Sequence, residues 1–279
     1  MPITLNGTNG ITQADQFNSD STFGFKNRII NGGFTINQRG YVTNTSLTSG
    51  SYGHDRWKGG ASNGTYTFTQ AATGVNTTIT ITAGSIIQVI EGANLPEGGT
   101  YVLSWTGTAQ GKIGAGSFGA SGITGTITAG TNTNIEFNTG TCGNVQLEVG
   151  STATSFDYRS YGTEFSLCER YFQKYNGNSV GTASNGGFAV VAMNTALSGF
   201  TGITFPQMRI GPSFAYSNLS DFTLQSDGTT RTPTVLQSNG SSTNRMEIEL
   251  NWISNLTNGY AGWLRINNAS GFYSLSAEL

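Results

Sequence analysis

Isoleucine and threonine alternate strictly in the segment Thr78-Ile79-Thr80-Ile81-Thr82. Successive side chains of a β-strand point to opposite faces of a sheet, so this period of two puts the isoleucines on one face and the threonines on the other. The segment is therefore predicted to be a strand with one buried face. A second run, Ile86-Ile87-Gln88-Val89-Ile90, is almost continuously apolar and predicts a strand buried on both faces.

Similar short strands are predicted along the chain from residue 27 onwards. The other candidates lie at 65–69, 100–106, 123–128, 134–137, 145–148, 188–193, 202–206, 245–252, 260–266 and 271–279. Glycine and asparagine favour the tight turns between such strands, and the chain contains 40 glycines. The pattern predicts an all-β protein with a β-sandwich or jelly roll over 27–160 and a second β-sandwich domain over 176–279.

Two segments depart from this pattern. Residues 161–175 place apolar side chains at helical spacing, which predicts a short helix linking the two domains. Residues 1–26 are polar, with too few apolar side chains to form a core of their own. We expect them to be an N-terminal arm that docks on a partner; the alternative is a frayed terminus.

Charged residues are scarce, at 10% of the chain against about 25% in ordinary domains. The net charge is −2, so no basic surface is expected to bind nucleic acid. Three stretches, 59–90, 113–135 and 175–208, contain no charged side chain at all. Such surfaces suit self-association or contact with neutral sugars, although polar loops solvated by Thr, Ser and Asn explain them equally well.

The sequence predicts neither membrane insertion nor a secretion signal. No apolar run approaches the roughly 20 residues of a membrane span. The start, Met1-Pro2-Ile3-Thr4, has no basic region followed by an apolar one. The two cysteines, Cys142 and Cys168, are expected to be free thiols from a reducing cytoplasm, and a single disulfide is the alternative.

The residues required for catalysis are mostly missing. His54 is the single histidine, which rules out multi-histidine metal sites and makes any Ser-His-Asp arrangement depend on it. Its neighbour is Asp55, but adjacent residues of a strand point to opposite faces, so we expect a structural turn there. Fifteen acidic residues form pairs by chance, and hydrolysis by two carboxylates is only a distant option. No enzyme, cofactor or metal is therefore predicted; a structural Ca²⁺ suits jelly-roll modules, but no segment has calcium-loop spacing.

Five strings of the N-terminal half occur in a fixed order. They are NRIINGGFTINQRG at 27–40, YGHDRW at 52–57, QVIE at 88–91, YVLSW at 101–105 and VQLEVGSTATSFDYR at 145–159, followed by LCERYFQKY at 167–175. Together they resemble a domain of tail-fibre and other virion proteins of phages and prophages, over residues 27–175. The resemblance implies a jelly roll similar to carbohydrate-binding modules.

The same resemblance implies structural roles for several polar residues within these strings. They are Asp55, Arg56, Trp57, Glu91, Glu148 and Arg159. Glu91 and Glu148 are expected to form salt bridges with Arg28, Arg56 or Arg159.

Exposed aromatic residues are the remaining candidates for a functional site, because sugars stack their C–H faces on flat rings. Trp57 and Trp105 belong to the strings that carry the resemblance, which implies positions in the core. Trp252 alternates with Met246 and Leu250 and is also expected in a core. The candidates for a sugar-binding surface are Tyr260, Trp263, Phe272 and Tyr273. The alternative for each is ordinary packing.

These observations lead to two functional hypotheses. The first is a non-enzymatic bacteriophage virion protein of fibre or spike type, made in the host cytoplasm and carried on the particle. It would form a homo-oligomer, with a trimer favoured, dock on other virion proteins through 1–26 and attach to host surface polysaccharide through its C-terminal domain. The alternative is a purely structural head, neck or tail fibre base, or an adaptor that anchors another virion component.

Overall fold

The computed structural model describes residues 5–6, 10–11, 25–177, 186–226, 228–252 and 260–279. The chain divides into two compact units, Met1–Phe165 and Ser166–Leu279. Most of the predicted arm at 1–26 lies outside the described residues, and its docking role stays a prediction. The part that is described holds two short antiparallel strands, β1 (Leu5–Asn6) and β2 (Gly10–Ile11).

Seven more strands are described in the first unit, and all their mutual pairings are antiparallel. They are β3 (Lys58–Phe68), β4 (Ile79–Ile90), β5 (Gly99–Thr106), β6 (Gly111–Ile113), β7 (Ile123–Ile127), β8 (Thr133–Phe137) and β9 (Gly140–Val149). The strand order is β6-β8-β4-β9-β5-β7, with β3 paired to β4. This sandwich- or barrel-like arrangement confirms the predicted all-β class.

Strand β4 corrects one prediction. The sequence predicts separate strands at 78–82 and 86–90, whereas the structure has one strand of 12 residues. Its first part pairs with β9 and its last part with β8. Between them Gly84 has a φ of +64°, a conformation that side-chain-bearing residues rarely adopt, so the chain changes partners there without ending the strand. The predicted alternation is confirmed, since Ile79 and Ile81 are buried.

The core of the first unit contains two of the four tryptophans. Trp57 is fully buried and stacks on Phe34, with 4.9 Å between the ring centroids. Trp105 packs edge-on against Phe137 and donates a hydrogen bond from its indole nitrogen to the backbone oxygen of Ala109. Both rings therefore occupy the core, as the sequence predicts.

A single α-helix is described, α1 (Tyr161–Glu169), and it corrects the predicted length. The sequence predicts a helix to residue 175, but Phe172–Asn176 form strand β10. This strand pairs with the final strand of the chain, so its backbone hydrogen bonds are made to a distant segment. The apolar spacing at 170–175 fits both structures, and tertiary pairing selects the strand.

The second unit contains β10 and nine further described strands. They are β11 (Gly186–Met193), β12 (Ser198–Thr204), β13 (Ser213–Tyr216), β14 (Phe222–Ser226), β15 (Thr229–Arg231), β16 (Val235–Ser241), β17 (Arg245–Asn251), β18 (Ala261–Ile266) and β19 (Phe272–Ser276). One sheet has the order β15-β14-β18-β11-β12-β17-β16, and the other has the order β10-β19-β13. Their inner faces share one hydrophobic core, which includes Trp252 as predicted.

Both cysteines are buried and neither takes part in a disulfide, so the alternative of a disulfide between Cys142 and Cys168 is wrong. Burial raises the pKa of the Cys142 thiol well above its ordinary value. Within the described ranges, no helix is long and apolar enough to cross a membrane.

Candidate functional site

Strand β18 places Trp263 on the outer face of the larger sheet. Leu264 and Ile266 are fully buried, and the period of two turns Trp263 and Arg265 to the opposite side. Trp263 is 55% exposed, although tryptophan is one of the most apolar side chains. The other three tryptophans are at most 6% exposed, so Trp263 is the exception in this chain.

The strands on either side of β18 supply the residues that surround this indole. Val190 of β11 and Gln225 of β14 are its direct cross-strand partners. Gly187 lies beneath the ring, because a Cβ added at that position would come within 2.9 Å of an indole carbon. The indole therefore covers a bare stretch of backbone and leaves much of its surface to solvent.

An open groove of about 340 Å³ runs beside this ring. It is lined by Gln225, Ser226, Gly228, Ala261, Trp263 and Arg265. Two of its polar atoms, Gln225 Oε1 and Arg265 Nε, are buried and have no hydrogen-bond partner among the described residues. Buried polar groups are nearly always paired in native proteins, so the side chains of Gln225 and Arg265 keep unused hydrogen-bonding capacity beside the groove. We call Gly187, Gln225, Trp263 and Arg265 the Trp263 surface.

The structure separates the four aromatic residues that the sequence suggests for sugar binding. Tyr260 is 56% exposed and directly precedes β18. Phe272 is half-buried on the smaller sheet, where the Lys174 ammonium lies 4.3 Å from its ring centroid. The expected surface position of Tyr273 is wrong. Its ring is 5% exposed and lies between Tyr175 and Phe188, in stacked contacts with centroid separations of 4.8 and 4.9 Å.

Sequence reasoning missed Gly187, Gln225 and Arg265. One signal was available for Arg265, because the alternation that predicts β18 also places it on the face of Trp263. No comparable signal existed for the other two. They come from β11 and β14, and only the pairing of distant strands brings them to the indole.

In the first unit, Asp55, Arg56 and Trp57 are buried and form part of a structural cluster. Asp55 accepts hydrogen bonds from Arg39 at 2.9 Å and from the Gln38 amide at 2.8 Å. Arg56, with a φ of +72°, donates to the backbone oxygen of Val89. The Trp57 indole nitrogen donates to the backbone oxygen of Asn31 at 2.9 Å.

The remaining members of the expected cluster lie at turns and strand ends. Glu91 directly precedes a turn of 3-10 helix, Gly92–Asn94. The Glu148 carboxylate accepts hydrogen bonds from the backbone and hydroxyl of Thr154 and from the amide of Gln146.

The expected salt bridge of Glu148 with Arg28, Arg56 or Arg159 is wrong, and neither Arg28 nor Arg159 pairs with Glu91. The expected pairing of Glu91 with Arg56 stays a prediction. Arg159 pairs with Glu164 at 3.2 Å, and Arg28 pairs with Glu97 at 2.6 Å. Glu148, near the end of β9, instead accepts hydrogen bonds from local amide and hydroxyl donors.

His54 occupies a buried, neutral environment. Its Nδ1 lies 2.9 Å from the Tyr66 hydroxyl and its Nε2 lies 3.1 Å from the Gln70 amide oxygen. Burial lowers the pKa of His54 to about 4. The side chain is fully enclosed, which matches the structural position predicted for it. Across the described ranges, no group of three or more His, Cys, Asp or Glu side chains is arranged to hold a metal ion.

No family model, curated protein or solved structure matches this chain.

Proposed function

We propose that this chain is a non-enzymatic structural protein of a bacteriophage particle, of fibre or spike type, which attaches to a host surface glycan through the Trp263 surface. The observation that carries the proposal is the exposed indole of Trp263 on the outer face of the larger sheet. Beside it lie two polar atoms without hydrogen bonds, Gln225 Oε1 and Arg265 Nε. Aromatic rings bind the C–H faces of sugars, and neighbouring polar groups orient the hydroxyls. This combination is typical of a glycan-binding surface.

The assignment to a virion rests on the sequence strings between 27 and 175. The residues of YGHDRW at 52–57 take part in a dense buried network, with Asp55, Arg56 and Trp57 each hydrogen-bonded. Because these residues are buried and hydrogen-bonded, a sequence pattern that contains them indicates the fold of the domain. The jelly-roll topology and the relation to phage fibres remain part of the proposal.

An oligomer, with a trimer favoured, is part of the same proposal. Strand β16 lies at the edge of the larger sheet and contains neither a charged residue nor a proline. Monomeric proteins usually protect an exposed sheet edge with charge, proline or a covering segment. β16 has a register shift between Ser238 and Gly240, and the regular, uncharged part before it suits pairing with a second chain.

The proposal is tested by binding of the full chain to a panel of bacterial surface polysaccharides. Acrylamide quenching is a selective readout, since Trp57, Trp105 and Trp252 are buried and Trp263 is not. A bound glycan should protect Trp263 from the quencher. Trp263→Ala should abolish binding, while Tyr158→Ala removes an aromatic side chain that is 71% exposed in the first unit and should leave binding unchanged. Equal binding by both variants, or no binding to any polysaccharide, would contradict the proposal.

The alternative is a fibre base or adaptor that binds another virion component and no glycan. The observation that favours it is a set of exposed aromatic side chains in the first unit, namely Phe25, Tyr158 and Tyr161. An adaptor would lose its virion partner on Tyr158→Ala and keep it on Trp263→Ala. The two variants therefore separate the two functions.

A further inference from the structure

The Trp263 surface contains one positively charged residue, Arg265. Arg265 follows Trp263 by two residues on β18, so both side chains point to the same face of the sheet. Its direct cross-strand partners are Gly187 and Thr223, neither of which carries a charge. The guanidinium thus lies on a neutral part of the sheet.

Arg265 has no ion pair among the residues that the structure describes, and its Nε is buried without a hydrogen bond. The acidic residue that leads into β14, Asp221, is bonded elsewhere: its two carboxylate oxygens accept from Ser217 at 2.5 Å and from Asn268 at 2.9 Å. Asp227, between β14 and β15, lies outside the described residues. Leaving a buried donor of a charged group unpaired is unfavourable, and an anion bound at Arg265 would remove that cost.

The neighbouring groups specify what the anion is attached to. Gln225 Oε1 is an acceptor that requires a hydroxyl or amide donor. Trp263 offers an apolar ring face of the kind that sugars stack on. A sugar ring with hydroxyl groups and one negative substituent satisfies all three residues.

We propose that the Trp263 surface binds a carboxylate-bearing sugar of the uronic acid kind, with Arg265 on the carboxylate, Gln225 on a hydroxyl and Trp263 against the ring. This inference rests on the proposed function and narrows its ligand class. The guanidinium fork matches a carboxylate in a bidentate way. A single cation balances the single charge of a carboxylate, whereas a phosphate monoester carries about −1.5 to −2.

The test compares acidic polysaccharides with their own neutral forms. The probes are polygalacturonate, alginate and hyaluronate, each beside the same polymer after chemical reduction of its carboxyl groups. The full chain should bind at least one acidic polymer, and reduction of that polymer should weaken binding roughly 10- to 100-fold, as expected for loss of a charge-assisted hydrogen bond. Added salt should weaken binding of the acidic form only.

Matched variants assign the effect to one residue. Arg265→Gln should reproduce the loss seen on carboxyl reduction and should bind acidic and reduced polymers alike. Arg245→Gln removes one positive charge from the exposed start of β17 in the same sheet. It should change neither the binding of the acidic polymer nor the binding of the reduced polymer.

The outcomes separate this inference from the function on which it rests. Trp263-dependent binding that is equally tight for acidic and reduced polymers would overturn the acidic-sugar inference and leave glycan attachment standing. Absence of Trp263-dependent binding to every acidic and neutral polymer would overturn both. Discrimination that survives Arg265→Gln would place the carboxylate elsewhere and contradict the role of Arg265.

Discussion

His54 and Tyr66 are joined twice in the core of the first unit. The His54 backbone N–H donates to the Tyr66 phenolic oxygen at 2.9 Å, and the Nδ1 of the same histidine lies 2.9 Å from that oxygen. The phenol therefore accepts from the backbone and donates to a neutral imidazole, while Nε2 donates to Gln70. This arrangement requires Nδ1 to be free of a proton.

The first prediction concerns pH. The pKa of His54 is about 4 in the folded chain, against about 6.5 in an unfolded one, so the unfolded state takes up a proton first as the pH falls. The stability that depends on the neutral ring is complete above pH 6.5 and is lost as the pH falls towards 4. We expect the free energy of unfolding to decrease by about 2 kcal/mol between pH 7 and pH 5 through this group. Urea denaturation at the two pH values measures it.

The control is His54→Gln, which has no proton to bind in this range. The variant should be less stable at pH 7 but should show a smaller decrease towards pH 5. An identical pH dependence in both proteins would assign the acid sensitivity to other groups.

The second prediction compares two tryptophans. Trp57→Phe removes a buried ring segment and the hydrogen bond to Asn31, and should lower the free energy of unfolding by about 2 to 4 kcal/mol. Trp263→Phe changes an exposed side chain and should stay within about 0.5 kcal/mol of the parent. Thermal or urea denaturation checks both. Comparable losses would mean that the indole of Trp263 is also part of the folded framework.

The third prediction concerns Glu148, near the end of β9, and the contact it makes with Thr154. Glu148 is 4% exposed and holds Thr154 by two hydrogen bonds. Glu148→Ala removes the charged acceptor of the part-buried Thr154 backbone N–H and hydroxyl and should cost about 1.5 to 3 kcal/mol. The matched change, Glu97→Ala, breaks an ion pair whose carboxylate is 45% exposed and should have a much smaller effect. A larger loss for Glu97→Ala would refute the structural role assigned to Glu148.

The fourth prediction tests the contact between Gly187 and the indole of Trp263. A methyl group at Gly187 would come within 2.9 Å of Trp263, so Gly187→Ala should displace the ring. We expect greater acrylamide quenching and glycan binding weakened by up to about tenfold, roughly the contribution of one aromatic contact. Gly202→Ala, on β12, meets no atom within 4 Å and serves as the control. Unchanged quenching in both variants would show that the ring does not depend on Gly187.

Much of the framework follows from local pattern. The alternation at 78–82 and 245–252 predicts the buried faces of β4 and β17, and the alternation of Trp252 with Met246 and Leu250 predicts its burial. The prediction fails where a segment has two compatible structures. Residues 170–175 satisfy helical spacing, but β10 obtains its backbone partners from β19.

The candidate site depends both on the local sequence pattern and on the pairing of distant strands. Alternation along β18 is a property of the chain itself, and it is sufficient to turn Trp263 and Arg265 to the same face, because successive side chains of a strand point in opposite directions. Which side chains surround that face is a property of strand pairing. Gln225 precedes Trp263 by 38 residues and Gly187 precedes it by 76, and they meet it only because β14 and β11 flank β18. Tyr273 differs from Trp263 for the same reason: the opposing sheet covers one ring and leaves the other exposed.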